Sequence, residues 1–269
     1  MRALRVHRRL FSSKPALPGF FELRTDVVKP KHISSYLDEV ERTAADRRRI
    51  MPGWKGIWKT EIGGDASTVR HLYHWTDYDD RDRCRELASD DATHFGNVSN
   101  VETQAGMTLP LPSLRENLSS THSMVMVEAT AVLAACGLPG ADGYTPPPPP
   151  PPSNDITTPV VAYELRTYQL VLGYSTVPKF LTLYEEGLAD KLAADATGAS
   201  QLVTLLYSDC GPLNMVMELW RHESLERSLA SRRASRAAPK WRNAINEIAG
   251  LSVSFDTQFM RALPCSPWT

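Results

Sequence analysis

Apolar and polar positions alternate through Phe20–Val28, the period-two pattern of a strand with one buried face. Past Lys29-Pro30 the period changes. Ile33, Tyr36, Leu37, Val40 and Ala44 recur at spacings of three and four, one face of a helix, which Met51-Pro52-Gly53 ends. Trp54–Ile62 and Thr68–Trp75 read as strands joined by a hairpin-type turn at Gly63-Gly64-Asp65. Asp77–Ala88 is a polar helix that Thr76 or Asp77 can cap. An irregular stretch then runs through Pro110 and Pro112. A short helical segment near Leu114–Leu118 precedes a fourth strand, Ser123–Ala131.

The second half repeats the order: strand Val160–Val171, helix Val177–Leu192, strand Gln201–Tyr207, turn Asp209-Cys210-Gly211-Pro212, strand Leu213–Trp220, helices Ser224–Ala237 and Lys240–Ile248, strand Phe255–Leu263. The repeat is visible residue by residue. Phe21-Glu22-Leu23-Arg24-Thr25 recurs as Tyr163-Glu164-Leu165-Arg166-Thr167, Tyr36-Leu37 as Phe180-Leu181, and the apolar third strands end at Trp75 and Trp220. A period this long is the size of a small domain. The order β-α-β-β-α-β is the ferredoxin-like split βαβ. The expected fold class is therefore α+β, with two tandem ferredoxin-like repeats. Residues 20–136 form the first repeat, 137–159 a proline-rich linker and 160–269 the second. Within the linker, the seven prolines Pro146–Pro152 are expected to adopt polyproline II, spanning about 3.1 Å per residue. Such a run is a stiff spacer or a ligand for an SH3- or WW-type domain.

Residues 1–19 break the pattern. Arg2, Arg5, Arg8, Arg9 and Lys14 precede the first acid, Glu22, and the four arginines fall opposite Ala3, Leu4, Val6, Leu10 and Phe11 on a helical projection. An Arg-rich, Ser-bearing, acid-free amphipathic segment is the pattern of a mitochondrial transit peptide. For the rest, composition excludes more than it assigns. At 269 residues the chain is long enough for two cores, and its net charge of −1 gives no global attraction to nucleic acid. The four cysteines form no C-x-x-C pair, which argues against a zinc site or a disulfide frame. No run of about 18 apolar residues occurs; Met124–Leu138 comes nearest, and it carries Glu128.

Candidate chemistry is sparse. Glu22 and Arg24 share one face of their strand, and Glu164 and Arg166 share one face of theirs. If that face lines the space between two sheets, four charges meet in a cavity that His71 or His74 could join, as an acid/base or polar-ligand site would need. The other reading of the pair is cross-strand ion pairing that fixes register. His71 and His74, three apart on a strand, face opposite sides and make no metal pair. Trp54, Trp58, Trp75, Trp220 and Trp241 are expected to pack the core, with Trp75 and Trp220 at equivalent strand ends. Arg232, Arg236 and Lys240 recur every four residues in a basic stretch, either a solvated helix face bent at Pro239 or a contact for an acidic partner or anionic lipid. Stacking aromatics are missing from the stretch, which places RNA last. No phosphate loop, nucleophile elbow, cofactor motif or metal-ligand cluster is visible, so no catalytic, cofactor or metal residue is assigned.

The doubled Glu-Leu-Arg-Thr strands, the run Gly56-Ile57-Trp58-Lys59-Thr60-Glu61-Ile62-Gly63-Gly64 leading to His71-Leu72-Tyr73-His74-Trp75, and the closing Pro264-Cys265-Ser266-Pro267 together resemble the NIPSNAP family, over about residues 20–268. The resemblance implies a dimeric α+β barrel in which two ferredoxin-like sheets face each other; the two repeats of one chain could supply both halves, or the barrel could close between two chains. It also implies a location in the mitochondrial matrix or on the matrix face of the inner membrane. The family is linked to mitochondrial quality control and brings no settled catalytic residues. The expected function is non-catalytic binding, as an adaptor or scaffold or as an accessory subunit of a respiratory, ATP-synthase or ribosomal assembly. The alternative is an enzyme of the α+β barrel monooxygenase type, using a cavity between the repeats. Two features depart from the family pattern: the heptaproline linker, and an extension of the first repeat near Gly106–Pro112.

Overall fold

The computed structural model describes residues 19–90, 101–102, 108–109, 114, 116–148, 160–195 and 197–269. The amphipathic arm, most of the proline run and most of the Gly106–Pro112 extension lie outside these residues. Eight strands form one closed antiparallel barrel: β1 (Phe20–Val28), β2 (Trp54–Ile62), β3 (Thr68–Trp75), β4 (Leu118–Glu128), β5 (Ala162–Leu170), β6 (Ser200–Cys210), β7 (Met215–His222) and β8 (Ser252–Ala262). Their order around the barrel is β1-β3-β2-β8-β5-β7-β6-β4. The first four strands make one half and the last four the other, each in the ferredoxin-like order. Closure takes two seams. At one, β8 pairs with β2 from Phe259 opposite Ile62 to Ala262 opposite Trp58; at the other, β4 pairs with β6 from Val125 opposite Cys210 to Glu128 opposite Leu206. The two repeats of one chain thus do what two subunits do in a dimeric barrel, and the barrel itself has no open edge.

Helices cover both halves. The stripe from Ile33 forms α1 (Ile33–Arg42), which breaks at Thr43 and resumes as α2 (Ala44–Ile50). Thr43 Oγ1 donates to the Glu39 carbonyl at 2.8 Å, a back-bond that competes with the helical ladder. In α3 (Tyr78–Asp90), Asp77 accepts from the Asp80 N–H at 2.7 Å and Asp80 accepts from the Thr76 N–H at 3.3 Å, a reciprocal cap. Two short helices follow β4, α4 (Thr130–Ala135) and α5 (Gly140–Gly143), the second within the linker. The second half carries α6 (Thr176–Ala194), α7 (Leu225–Ser235) and α8 (Pro239–Leu251). The segment expected to bend at Pro239 is two helices. Pro239 opens α8, where its missing N–H costs nothing. Among the described residues near Leu114–Leu118 a turn stands where a helical segment was expected, and the fourth strand starts earlier than Ser123, at Leu118.

Alternation divides the side chains among three cores. Phe21, Leu23, Trp58, Leu72, Met126, Tyr163, Leu165, Leu206, Met217, Leu219 and Met260 point into the barrel and fill it. Tyr36, Val40, Trp54, Tyr73 and Trp75 fill the layer between the first half-sheet and its helices; Tyr168, Phe180, Tyr184, Trp220 and Trp241 fill the second. All five tryptophans expected in the core are buried. The strand-end equivalence expected for two of them is corrected by register. Trp75 lies opposite Phe20 and His222 opposite Ala162, so Trp75 matches His222, while Trp220 matches Tyr73. Counting from the apolar run misplaces the repeat because β7 continues two residues past its tryptophan.

Candidate functional site

Because Phe21 and Leu23 face into the barrel, Glu22, Arg24 and Asp26 must face the helices. The same holds for Glu164 and Arg166 behind Tyr163 and Leu165. The four charges expected to converge between the sheets therefore lie on the outside of the barrel wall, buried under the helices of their own repeats. Glu22 receives Arg81 Nε at 2.9 Å and Arg81 Nη2 at 3.1 Å, Arg85 Nη2 at 2.9 Å, Trp75 Nε1 at 3.0 Å and the Ser123 hydroxyl. Burial alone would push this carboxyl up; the Arg81 bond, the Arg85 charge and the Ser123 bond outweigh it and hold the group down at about 2. Glu164 is built the same way. It receives Arg166 Nε at 2.6 Å, His222 Nε2 at 2.8 Å, the Ser228 hydroxyl at 3.2 Å and Arg232 Nη2. Its carboxyl is pushed up by burial and pulled further down by His222 and Arg166, to below the usual carboxylate range.

These two glutamates therefore pin a helix to a sheet in each repeat, Arg85 of α3 and Arg232 of α7 doing the same work. Glu22 and Glu164 are thus not a cavity site between the sheets; cross-strand ion pairing is present at Arg166, which lies opposite Glu218 at 3.8 Å, but the two glutamates themselves serve the helices. The basic stretch changes meaning with it. Arg232 is spent on Glu164, while Arg236 and Lys240 are exposed and lie on either side of the break between α7 and α8. Arg232, Arg236 and Lys240 do not form one helix face.

Beside each anchor stands a second polar cluster, and here the repeats differ. In the first, Asp26 accepts from Arg24 Nε at 2.8 Å, from the Tyr36 hydroxyl at 2.7 Å and from Thr121. His71 Nε2 lies 3.1 Å from the Tyr36 hydroxyl and 3.7 Å from Asp26. Burial raises Asp26, but Arg24 and His71 bring it to about 2; burial and the Arg47 charge hold His71 well below its ordinary range, so the imidazole is neutral. His71 thus joins Arg24, as expected for one of the two histidines, but not Glu22. His74 points the other way, with Nδ1 at 3.2 Å from Asp142.

In the second repeat the carboxylate moves from the first strand to the third. Tyr168 takes the place of Asp26, and Glu218 the place of His71. Glu218 accepts from the Tyr168 hydroxyl at 2.6 Å and from Trp220 Nε1, with Arg166 at 3.8 Å and Lys191 Nζ at 3.7 Å. Lys191 lies over the Trp220 ring at 3.7 Å and the Trp241 ring at 4.3 Å. Its burial, reinforced by Arg166, outweighs the pull of Glu218 and lowers its pKa to about 7. Lys191, Asp26, Tyr36 and Glu218 carry no sequence motif. Their only trace is polar residues on otherwise apolar faces.

Neither cluster opens onto a chamber among the described residues. Among the described residues, a cavity inside the barrel, bounded by Leu23, Trp58, Arg70, Thr204, Met217 and Met260, holds about 20 Å³, room for a water molecule. Among the described residues no group of histidine, cysteine, aspartate and glutamate is placed to hold a metal, and no helix is long and apolar enough to cross a membrane.

The comparisons agree with this geometry. The model of the NIPSNAP family matches residues 21–106 and 163–267, one match per repeat. Protein NipSnap homolog 3A of Homo sapiens is 26% identical over 252 residues, covering 92% of this chain and 84% of its own; protein NipSnap homolog 3B of Mus musculus is 25% identical over 253 residues, covering 92% and 85%. Among solved structures, a monooxygenase-like protein of Fusobacterium nucleatum superposes with a TM-score of 0.56 at 10% identity, covering 91% of this chain and 93% of its own. An anthrone oxidase-like protein superposes with a TM-score of 0.51 at 11% identity, covering 92% and 94%. At such identities the structural likeness speaks for the fold alone.

Proposed function

Since this chain belongs to the NIPSNAP family, we propose that it is a mitochondrial binding protein, acting as an adaptor or as an accessory subunit of a larger assembly, without catalysis of its own. The observation that carries this reading is how the interior is used. The barrel is filled by side chains, and the buried acids are committed to helix anchors and to closed polar clusters. A barrel enzyme needs a chamber between its repeats, and the filled interior weighs against that alternative.

For a protein partner, recognition falls to the surface. Val171, Leu172, Tyr174, Leu213, Val253 and Phe255 are all exposed, with Leu172 at 85%. They sit on strand ends and loops tied together by the Val171 N–H to Leu251 carbonyl bond at 2.9 Å and by Asn214 Nδ2 donating to the Val171 carbonyl at 2.8 Å. A grouped apolar rim of this kind suits a protein partner. The arginine-rich residues 2–9 support the mitochondrial location.

Native complexome profiling of mitochondria tests the proposal, comparing wild type with a Leu172→Ser, Tyr174→Ser double variant. Co-migration of the wild type with a defined set of mitochondrial proteins, lost in the variant, is the expected result. Migration of both as free chain, or absence from mitochondria, would overturn it.

A further inference from the structure

Arg221 stands on the interior face of β7, directly across from Tyr163 of β5. It is 4% exposed, its Nε has no hydrogen-bond partner, and its guanidinium makes no ion pair with any described residue. The buried hydroxyl of Tyr163 lies between the Tyr144 hydroxyl and the Arg221 guanidinium, and neither phenol makes a close, well-aligned hydrogen bond among the described residues. Burial pushes both phenols up, so they stay protonated and are able to donate. Beyond the arginine lies a cavity of about 260 Å³, bounded by Arg221, Gln201, Glu223, Val161, Pro147 and Pro148.

The first repeat shows what this position needs. There the register-equivalent residue is His74, opposite Phe21, and the chain supplies it with a carboxylate, Asp142, at 3.2 Å. At Arg221 the chain supplies no such acid among the described residues. A guanidinium cannot shed its proton, and a buried charge without a counter-ion costs several kcal/mol. Its planar fork fits a carboxylate on two points. Exposed Glu223 at the rim repels a dianion more than a monoanion. Val161 and the two prolines offer an apolar wall. The volume is below the roughly 300–1,000 Å³ of sites for drug-sized ligands, which limits the guest to a small one.

We infer that Arg221 and the Tyr163 hydroxyl form a binding site for a small monocarboxylic acid, its carboxylate on the guanidinium and its apolar body against Pro147, Pro148 and Val161. The site is independent of the partner-binding rim and lies at the opposite end of β7.

Isothermal titration of the full chain with butyrate, benzoate and inorganic phosphate tests it, in the wild type, Arg221→Met and Glu223→Gln. One equivalent of butyrate or benzoate is expected to bind the wild type, at least about tenfold more weakly to Arg221→Met and severalfold more tightly to Glu223→Gln. No carboxylate binding by the wild type, or full binding by Arg221→Met, would overturn the site. Phosphate binding tighter than either carboxylate would overturn the ligand class. If Arg221→Met does not fold, Glu223→Gln decides the matter, since an affinity unchanged by that substitution contradicts a buried anion beside it.

Discussion

Lys191 offers a test of the interior electrostatics that needs no partner and no ligand. It is buried, its Nζ makes no hydrogen bond, and its neighbours are two indole rings, Glu218, Arg166 and, further off, Glu164 and Arg232. In the folded chain its pKa is lowered to about 7, against 10.5 for an ordinary lysine. A base with a lowered folded pKa releases its proton on folding, so between pH 7 and 10.5 the unfolded chain holds more protons and stability rises with pH. Integrating that difference from pH 7 to pH 9, at about 1.4 kcal/mol per proton per pH unit, gives a gain of about 2 kcal/mol. Lys191→Met removes the contribution while keeping a chain of similar length, and Glu218 retains Tyr168, Trp220 and Arg166.

The assay is urea unfolding followed by tryptophan fluorescence at pH 6, 7, 8 and 9, on wild type and variant. Thiols complicate each curve alone: burial raises Cys84 and Cys136, and Cys265 to about 12, so they keep their protons longer when folded and oppose the trend. They are common to both proteins and cancel in the difference. The wild-type stability should gain on the variant by about 2 kcal/mol across pH 7–9. A difference that stays constant with pH would refute the account, and would mean that Glu218 and the indole rings keep the ammonium charged.

Three further outcomes follow from the anchors and the barrel. Glu22→Gln leaves Arg81 and Arg85 facing a neutral amide, and because both arginines are about 30% exposed the loss should be about 2 kcal/mol, below the value for a fully buried pair, as read from urea midpoints. In acid, the stability supplied by Glu22 and Asp26 should be complete above about pH 4.5 and fall as pH drops toward 2, while neutral His71 adds its own loss below about 6.5. An acid titration by near-ultraviolet dichroism that stays flat from pH 6 to 3 would contradict this. Trp58→Ala, in the barrel interior against Tyr163 at 5.4 Å and Trp268 at 6.3 Å, should cost about 3–5 kcal/mol in thermal or urea unfolding.

The fold was legible because its signals are local and doubled. Strand alternation at Phe20–Val28, the helical stripe from Ile33 and the repeated Glu-Leu-Arg-Thr each appear twice in one order, so an error in one copy is checked by the other. The polar clusters were not legible for a physical reason. Alternation says that Glu22 and Arg24 share a face, but it cannot say which face is the barrel. What decides it is the bulk of Phe21, Leu23, Tyr163 and Leu165, which fill the interior, together with Arg81 and Arg85, one helical turn apart on α3, both aimed at one carboxylate. The arginine spacing was a usable signal: paired basic residues on a helix facing a strand glutamate identify the helix side of the sheet.

Comparing the halves separates what the fold requires from what it leaves free. Glu22 with Arg85 and Trp75, and Glu164 with Arg232 and His222, preserve the same geometry with different donors, the mark of a constraint on helix placement. At the neighbouring positions that constraint is relaxed. Asp26 and His71 on one side become Tyr168 and Glu218 on the other, so each cluster keeps one carboxylate but places it on a different strand. At the mouth of the barrel the divergence reaches the charge itself. His74 faces an acid of its own chain, whereas Arg221 faces a cavity. A scaffold that needed only stability would gain from placing an acid beside that arginine, as Asp142 stands beside His74 in the first repeat. A buried arginine facing a cavity, where the first repeat has a histidine beside an aspartate, is the difference on which the proposed carboxylate site rests.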